Sequence, residues 1–170
     1  MPDHHLMGQC WRIRRARPGE AGQLSGLARR SKAYWGYAAE FLERVAAELT
    51  IPPRAIAEHQ VWVLEADGRV IGFHRVIPGE PAVLEDLWLE PEAIGAGHGR
   101  RLWEHAVEVA RACGASAMEL DAEPNAMGFY RRMGAVRVGV TASTVIPGRE
   151  LPRMRAPLEG TGSAGRRIPR

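Results

Sequence analysis

Apolar and polar positions alternate with period two along CWRIRRAR, residues 10–17, which predicts a half-buried strand. Pro18 and Gly19 interrupt it, and GEAGQLSGLARRSK predicts a modest helix. A clearer stripe follows in AAEFLERVAAEL, residues 38–49, where Phe41, Leu42, Val45, Ala46 and Leu49 share one helical face. Ile51-Pro52-Pro53 is expected to end that helix. VWVLEA, the turn Asp67-Gly68 and RVIGFHRVI read as a hairpin; Pro78, Gly79 and Pro81 then separate it from AVLEDLWL. Consecutive strands joined by short turns predict an antiparallel meander.

After Pro91 the period changes. From Gly97 onward, Leu102, Ala106, Val109, Ala110 and Cys113 recur at helical spacing until Gly114 stops the helix. ASAMELD is a strand reached through that helix, which predicts a parallel crossover. Pro124 suits the first turn of another helix, NAMGFYRRM, closed by Gly134. AVRVGVTAST and LPRMRAPL predict a closing strand pair joined by IPGRE. The reading is an α/β (α+β) domain over residues 1–158, with residues 159–170 as a mobile basic tail without apolar pattern.

A chain of 170 residues with 45% hydrophobic content suits one buried core. No run of about 18 apolar residues occurs, so no membrane partner is expected. The N-terminus lacks a charged-then-apolar pattern, and a cytoplasmic location is expected. The formal net charge is +3, yet the last ten residues carry three arginines and no acid, leaving the remainder balanced. A balanced body lacks the concentrated basic face of a nucleic-acid binder, so nucleic acid is not an expected partner. Lys32 is the single lysine among 23 basic residues, an arginine bias read as genomic. Cys10 and Cys113 lie far apart without CxxC spacing and are expected as buried free thiols. No metal is expected.

The chemistry concentrates in LWLEPEAIGAGHGRRL. Gly95, Gly97 and Gly99 alternate where a helix begins. The first amides of a helix have no internal partners and sit at the positive end of its dipole. Glycines let an anion approach those amides closely, and a pyrophosphate is the natural guest. A P-loop would need Gly-Lys-Ser/Thr, which is absent. A dinucleotide fingerprint would need a third glycine where Arg100 stands, although Glu119 or Asp121 could serve as its ribose acid.

The same run resembles the acetyl-CoA-binding motif of the GNAT (GCN5-related) N-acetyltransferases, Gln/Arg-x-x-Gly-x-Gly/Ala. Gly97 and Gly99 match its glycines, while Ile94 stands where Gln or Arg is usual. PNAMGFYRRMGA resembles the family's Asn…Tyr-x-x-x-Gly-Phe region through Asn125, Tyr130 and Gly134, with Ala135 in place of Phe. The resemblance implies a GNAT-like mixed central sheet of about seven strands flanked by about four helices. It combines an N-terminal antiparallel meander with a splayed parallel pair.

That resemblance further implies an acetyl-CoA-dependent N-acetyltransferase acting on a primary amine, a small molecule's first and a protein or peptide N-terminus as the nearest variant. Pyrophosphate would meet the amides of Gly95, Ala96, Gly97, His98, Gly99 and Arg100, beside Ile94. The pantetheine arm would lie along Leu87, Trp88 and Leu89, with Asn125 touching it. Arg100 and Arg101 would add charge or remain solvated. Tyr130 is the implied general acid, since a phenol suits protonation of a thiolate. Glu85 shares the parity of Leu87 and Leu89 and is the favoured base; His74, Asp121 and a water chain are the other candidates. Tyr34, Trp35 and Tyr37, with His74, are candidates for acceptor binding, since aromatic walls suit an apolar amine and its cation. A homodimer is allowed for. Two other readings stay open: a non-catalytic acyl-CoA sensor, indifferent to loss of the Tyr130 hydroxyl, and an oxidoreductase, which would bind NAD instead.

Overall fold

Alternation in the first half of the chain builds β1 (Trp11–Arg15), β2 (Gln60–Ala66), β3 (Arg69–Ile77) and β4 (Ala82–Leu89). They pair antiparallel, each with the next. The structure is a computed structural model and describes residues 10–158. At the β2–β3 turn both Asp67 (φ 51°) and Gly68 (φ 77°) have positive φ, the geometry whose twist matches the strands it joins.

Helix α4 (His98–Ala112) carries the chain back so that β5 (Ala117–Asp121) runs parallel to β4. The closing pair, β6 (Val136–Ala142) and β7 (Glu150–Pro157), completes a seven-stranded mixed sheet in the order β1-β2-β3-β4-β5-β7-β6. Helices α1 (Ala21–Ala33), α2 (Ala39–Val45) and α3 (Pro53–Glu58) cover one face, where Leu24, Leu27 and Ile56 pack on Val61, Val63 and Phe73. On the other face α4 and α5 (Met127–Arg132) bury Trp103, Ala106, Val109 and Tyr130 against Leu84, Met118 and Met154. Each large apolar side chain so buried contributes about 1.5–3 kcal/mol. The expected mixed sheet, with its meander and parallel pair, is therefore the observed one.

Local expectations fail in three places. The helix expected over residues 38–49 ends at Val45 and continues only as turns, though Val45 and Leu49 keep their buried positions. Ile51-Pro52-Pro53 does not merely stop a helix. Pro53 starts α3, because a proline in the first turn gives up an amide that has no partner there. Both cysteines are free as expected but exposed rather than buried. Cys113 caps α4 just beyond its apolar stripe, which ends at Ala110. The tail expectation for residues 159–170 lies outside the described residues, and no helix among those described is long and apolar enough to cross a membrane.

Candidate active site

The parallel pair is short. Only Ala82 with Met118 and Val83 with Glu119 are in register; beyond them β4 runs on to Leu89 while β5 ends at Asp121. The strands diverge and leave a cleft of about 510 Å³. One wall is Leu84, Glu85, Leu87, Trp88 and Leu89; the opposite wall is Leu120, Asp121, Glu123, Asn125 and Tyr130. Beyond the two paired positions, the edge of β4 facing the cleft has no strand partner. An extended ligand with amide groups can complete it.

One end of the cleft is the glycine turn, with Ile94, Gly95, Gly97, Gly99 and Arg100 in its lining. Gly95 (φ 88°) and Gly97 (φ 82°) adopt left-handed backbone that side-chain-bearing residues rarely accept. At Gly99 the constraint is different, since a Cβ there would lie 3.3 Å from Phe129 Cε2 and the ring would have to give way by a few tenths of an ångström. The amides of Gly95, Ala96 and Gly97 donate to no backbone acceptor, and those of His98, Gly99 and Arg100 form the open first turn of α4. Six adjacent orphan amides beside Arg100 and Arg132 make a cradle that fits a diphosphate.

Glu85 occupies a β-bulge. Arg75 is opposite Asp86 and Val76 is opposite Leu84, so Glu85 is the extra residue on β4 and turns toward the cleft. Burial pushes its carboxyl above the ordinary range, reinforced by the Asp86 charge and opposed by Arg75. Arg75 compensates it weakly, because its Nη2 is 3.8 Å from Glu85 while its Nε donates to Asp86 at 2.7 Å. Tyr130 is buried on α5, packed edge-on against Trp103 (5.7 Å) and Phe129 (5.1 Å). Burial, then the charges of Asp86 and Glu123, push its phenol well above the usual value. It holds its proton throughout the ordinary pH range. A carboxyl with a raised pKa and a phenol that keeps its proton therefore face the same cleft, groups able to accept and to donate a proton.

Comparison with known proteins decides the family. The model of the Acetyltransferase (GNAT) family matches residues 29–135, which include the bulge, the glycine turn and Tyr130. The chain belongs to the GNAT family. Among solved structures, this GNAT chain is similar to the PaiA N-acetyltransferase of Thermoplasma acidophilum in complex with coenzyme A. That match has a TM-score of 0.71 and 21% identity, and covers 87% of this chain and 99% of that one. A putative acetyltransferase from Salmonella typhimurium with its cofactor acetyl-CoA matches with a TM-score of 0.64 and 19% identity, covering 92% and 99%. A curated relative, serotonin N-acetyltransferase 2 (chloroplastic) of Oryza sativa subsp. japonica, is 36% identical over 89 residues. That match spans 48% of this chain and 44% of the relative.

In this GNAT chain the cleft gathers Glu85, Leu87, Trp88, Leu89, Ile94, Gly95, Gly97, Gly99, Arg100, Asn125 and Tyr130, together with Trp35 and Asp121. Ile94 contributes an apolar surface there. Other expected side chains stand elsewhere. The His98 ring is buried and its Nδ1 lies 3.0 Å from Arg101 Nη1, while the Arg101 guanidinium stacks on Trp11 at 4.7 Å. Tyr34 is exposed and packs edge-on to Trp35. His74 is fully buried under α4, with Nε2 2.8 Å from His105 Nδ1, outside the cleft lining. Asp121 lines the cleft but is tied to Arg153 (3.0 Å) and Thr141 (2.6 Å).

Sequence reasoning passed over Arg132 and Glu123. Arg132 is two residues beyond Tyr130 in the motif segment and lines the same cleft as Arg100. The available signal for Glu123 was its place directly before Pro124, where its side chain caps the 3-10 turn Pro124–Ala126 by accepting from the Asn125 amide.

Proposed function

We propose that this GNAT chain transfers an acetyl group from acetyl-CoA to a primary amine carrying an apolar body. The observation supporting this most is the divergence of β4 and β5, which joins an amide cradle, an open strand edge, a base and an acid in one cleft. The coenzyme A and acetyl-CoA complexes of two structural neighbours, and the serotonin named for the rice relative, favour the same reading.

Gly95 to Arg100 would hold the diphosphate, Leu87 to Leu89 and Asn125 the pantetheine arm. Acetyl-CoA supplies a thioester, whose carbon–sulfur bond is exchanged for a carbon–nitrogen bond to the amine. An alkylammonium near neutral pH is about one part in a thousand free amine, so removal of its proton matters. Glu85 accepts that proton, directly or through water. Tyr130 donates its phenolic proton to the departing sulfur. Trp35 supplies apolar wall on the acceptor side.

The test is thermal unfolding with acetyl-CoA and with NAD, followed by thiol release with a panel of amines. Acetyl-CoA at 100 times its dissociation constant stabilises by about 2.7 kcal/mol, a rise of about 5–10 °C, and NAD should give none. No rise with millimolar acetyl-CoA sinks the reading; binding without thiol release for any amine leaves an acyl-CoA sensor instead. Gly97→Val locates the cradle. Its Cβ meets no protein atom within 4 Å, so the cost to the fold lies in holding a β-branched residue in left-handed backbone, at least about 1–2 kcal/mol. Acetyl-CoA affinity, read by calorimetry, should fall by at least about tenfold as the side chain covers the amides.

A further inference from the structure

The single lysine of this arginine-rich chain is not spread over the surface with the other cations. Lys32, in the last turn of α1, and Glu123, just after β5, form an ion pair whose side chains are 9% and 7% exposed. Glu123 accepts a second hydrogen bond from the Tyr37 hydroxyl at 2.5 Å and a third from Asn125 Nδ2 at 2.8 Å. The Arg149 guanidinium comes from the β6–β7 connection, donates to the Tyr37 hydroxyl at 3.2 Å and lies over the Phe41 ring at 4.5 Å. One carboxylate therefore ties down both ends of the Lys32–Tyr37 segment, whose middle carries Trp35 into the cleft. The Lys32 Nζ also lies 5.1 and 5.8 Å from the centroids of the Tyr37 and Phe41 rings, cation–π contacts that add to the pair.

The latch also sets the charge that an acceptor meets. Three carboxylates line the cleft: Glu85, Asp121 and Glu123. Asp121 is paired with Arg153 at 3.0 Å, and Glu123 with Lys32. Glu85 alone of the three lacks a cation of its own, since Arg75 is committed to Asp86. Building on the acetyl-transfer reading, we propose that the Lys32–Glu123 pair is the specificity-determining element of the acceptor site. It fixes Trp35 as an apolar wall and hides a positive and a negative charge, so that the site selects amines with one positive charge and an apolar body. Diamines and zwitterionic amino acids are disfavoured, because their second charge finds no partner. Lys32 and Glu123 are positioning residues; neither touches the reacting atoms.

The test compares phenethylamine, putrescine and phenylalanine as acceptors for the wild type, Lys32→Met, Glu123→Gln and Lys32→Arg. In the wild type, phenethylamine should lead the other two by at least tenfold in kcat/KM. Lys32→Met removes the closest cation from the Glu123 carboxylate, leaving Arg149 Nη2 at 3.8 Å, and should move the putrescine to phenethylamine ratio up at least tenfold, through KM rather than kcat. Glu123→Gln uncovers Lys32 and should instead favour phenylalanine, whose carboxylate the ammonium can meet. Lys32→Arg keeps the charge and should keep the wild-type order. A role confined to stability would lower the melting temperature of the first two variants and leave the ratios unmoved, which overturns the proposal.

Hydrogen exchange over residues 33–37 gives a readout that needs no acceptor. It should quicken at least tenfold in Lys32→Met and in Glu123→Gln, and unchanged exchange in both overturns the latch. Failure of wild-type protein to gain stability from acetyl-CoA would instead sink the acetyl-transfer reading, leaving the exchange result to judge the latch.

Discussion

Replacing Tyr130 with phenylalanine should lower kcat by about 10²-fold while leaving acetyl-CoA affinity nearly unchanged. The ring would keep its edge-on contacts with Trp103 and Phe129, so neither packing nor the cleft wall is lost. Only the hydroxyl goes. Its pKa is raised first by burial and then by the negative charges of Asp86 and Glu123, so the group keeps its proton in the working range and cannot serve as a base. Thiol release with a responsive amine measures kcat, and calorimetry measures binding. A variant within twofold of the wild type in kcat would remove Tyr130 from the chemistry and leave it as core.

Glu85→Gln is expected to cost about 10²-fold in kcat/KM and to abolish the acidic limb of its pH profile. The sign follows from the direction of the shift. A base works when deprotonated, and burial raises this carboxyl above its ordinary value. Activity should therefore rise with pH through a range above that of a solvated glutamate, then level off. Stability runs the other way. A raised pKa in the folded state contributes stability below the unfolded value and loses it as pH rises through the folded one. At neutral pH the Glu85 charge thus opposes folding, and Glu85→Gln should match or exceed the wild type in melting temperature. An acidic limb that survives in the variant would hand the base to another group, with Asp121 the nearest candidate on the cleft.

What could be read from the chain was whatever depends on near neighbours. The stripe Leu102, Ala106, Val109 and Ala110 placed α4 correctly, because helical packing repeats over a few residues. Gly95 and Gly97 announced the amide cradle for the same reason: positive φ is a local demand. Pro53 misled because one residue can end a helix or begin one, and only the packing of Ala55 and Ile56 decides. Glu85 could be placed on the right face, but its bulge depends on the register with β3. His74 drew attention as an isolated strand histidine. Its partner, His105, is on α4, brought near only by the crossover. The Lys32–Glu123 contact spans 91 positions and left no trace in the pattern.

The sheet is in effect two leaves, one of four strands and one of three, bound along a spine of two residue pairs, Ala82–Met118 and Val83–Glu119. On the proposed reading, a guest lying in the gutter between them would extend that spine with its own amides, so that loading and stiffening would be one event. Product departure would then have to part the two leaves again, a step expected to weigh on turnover.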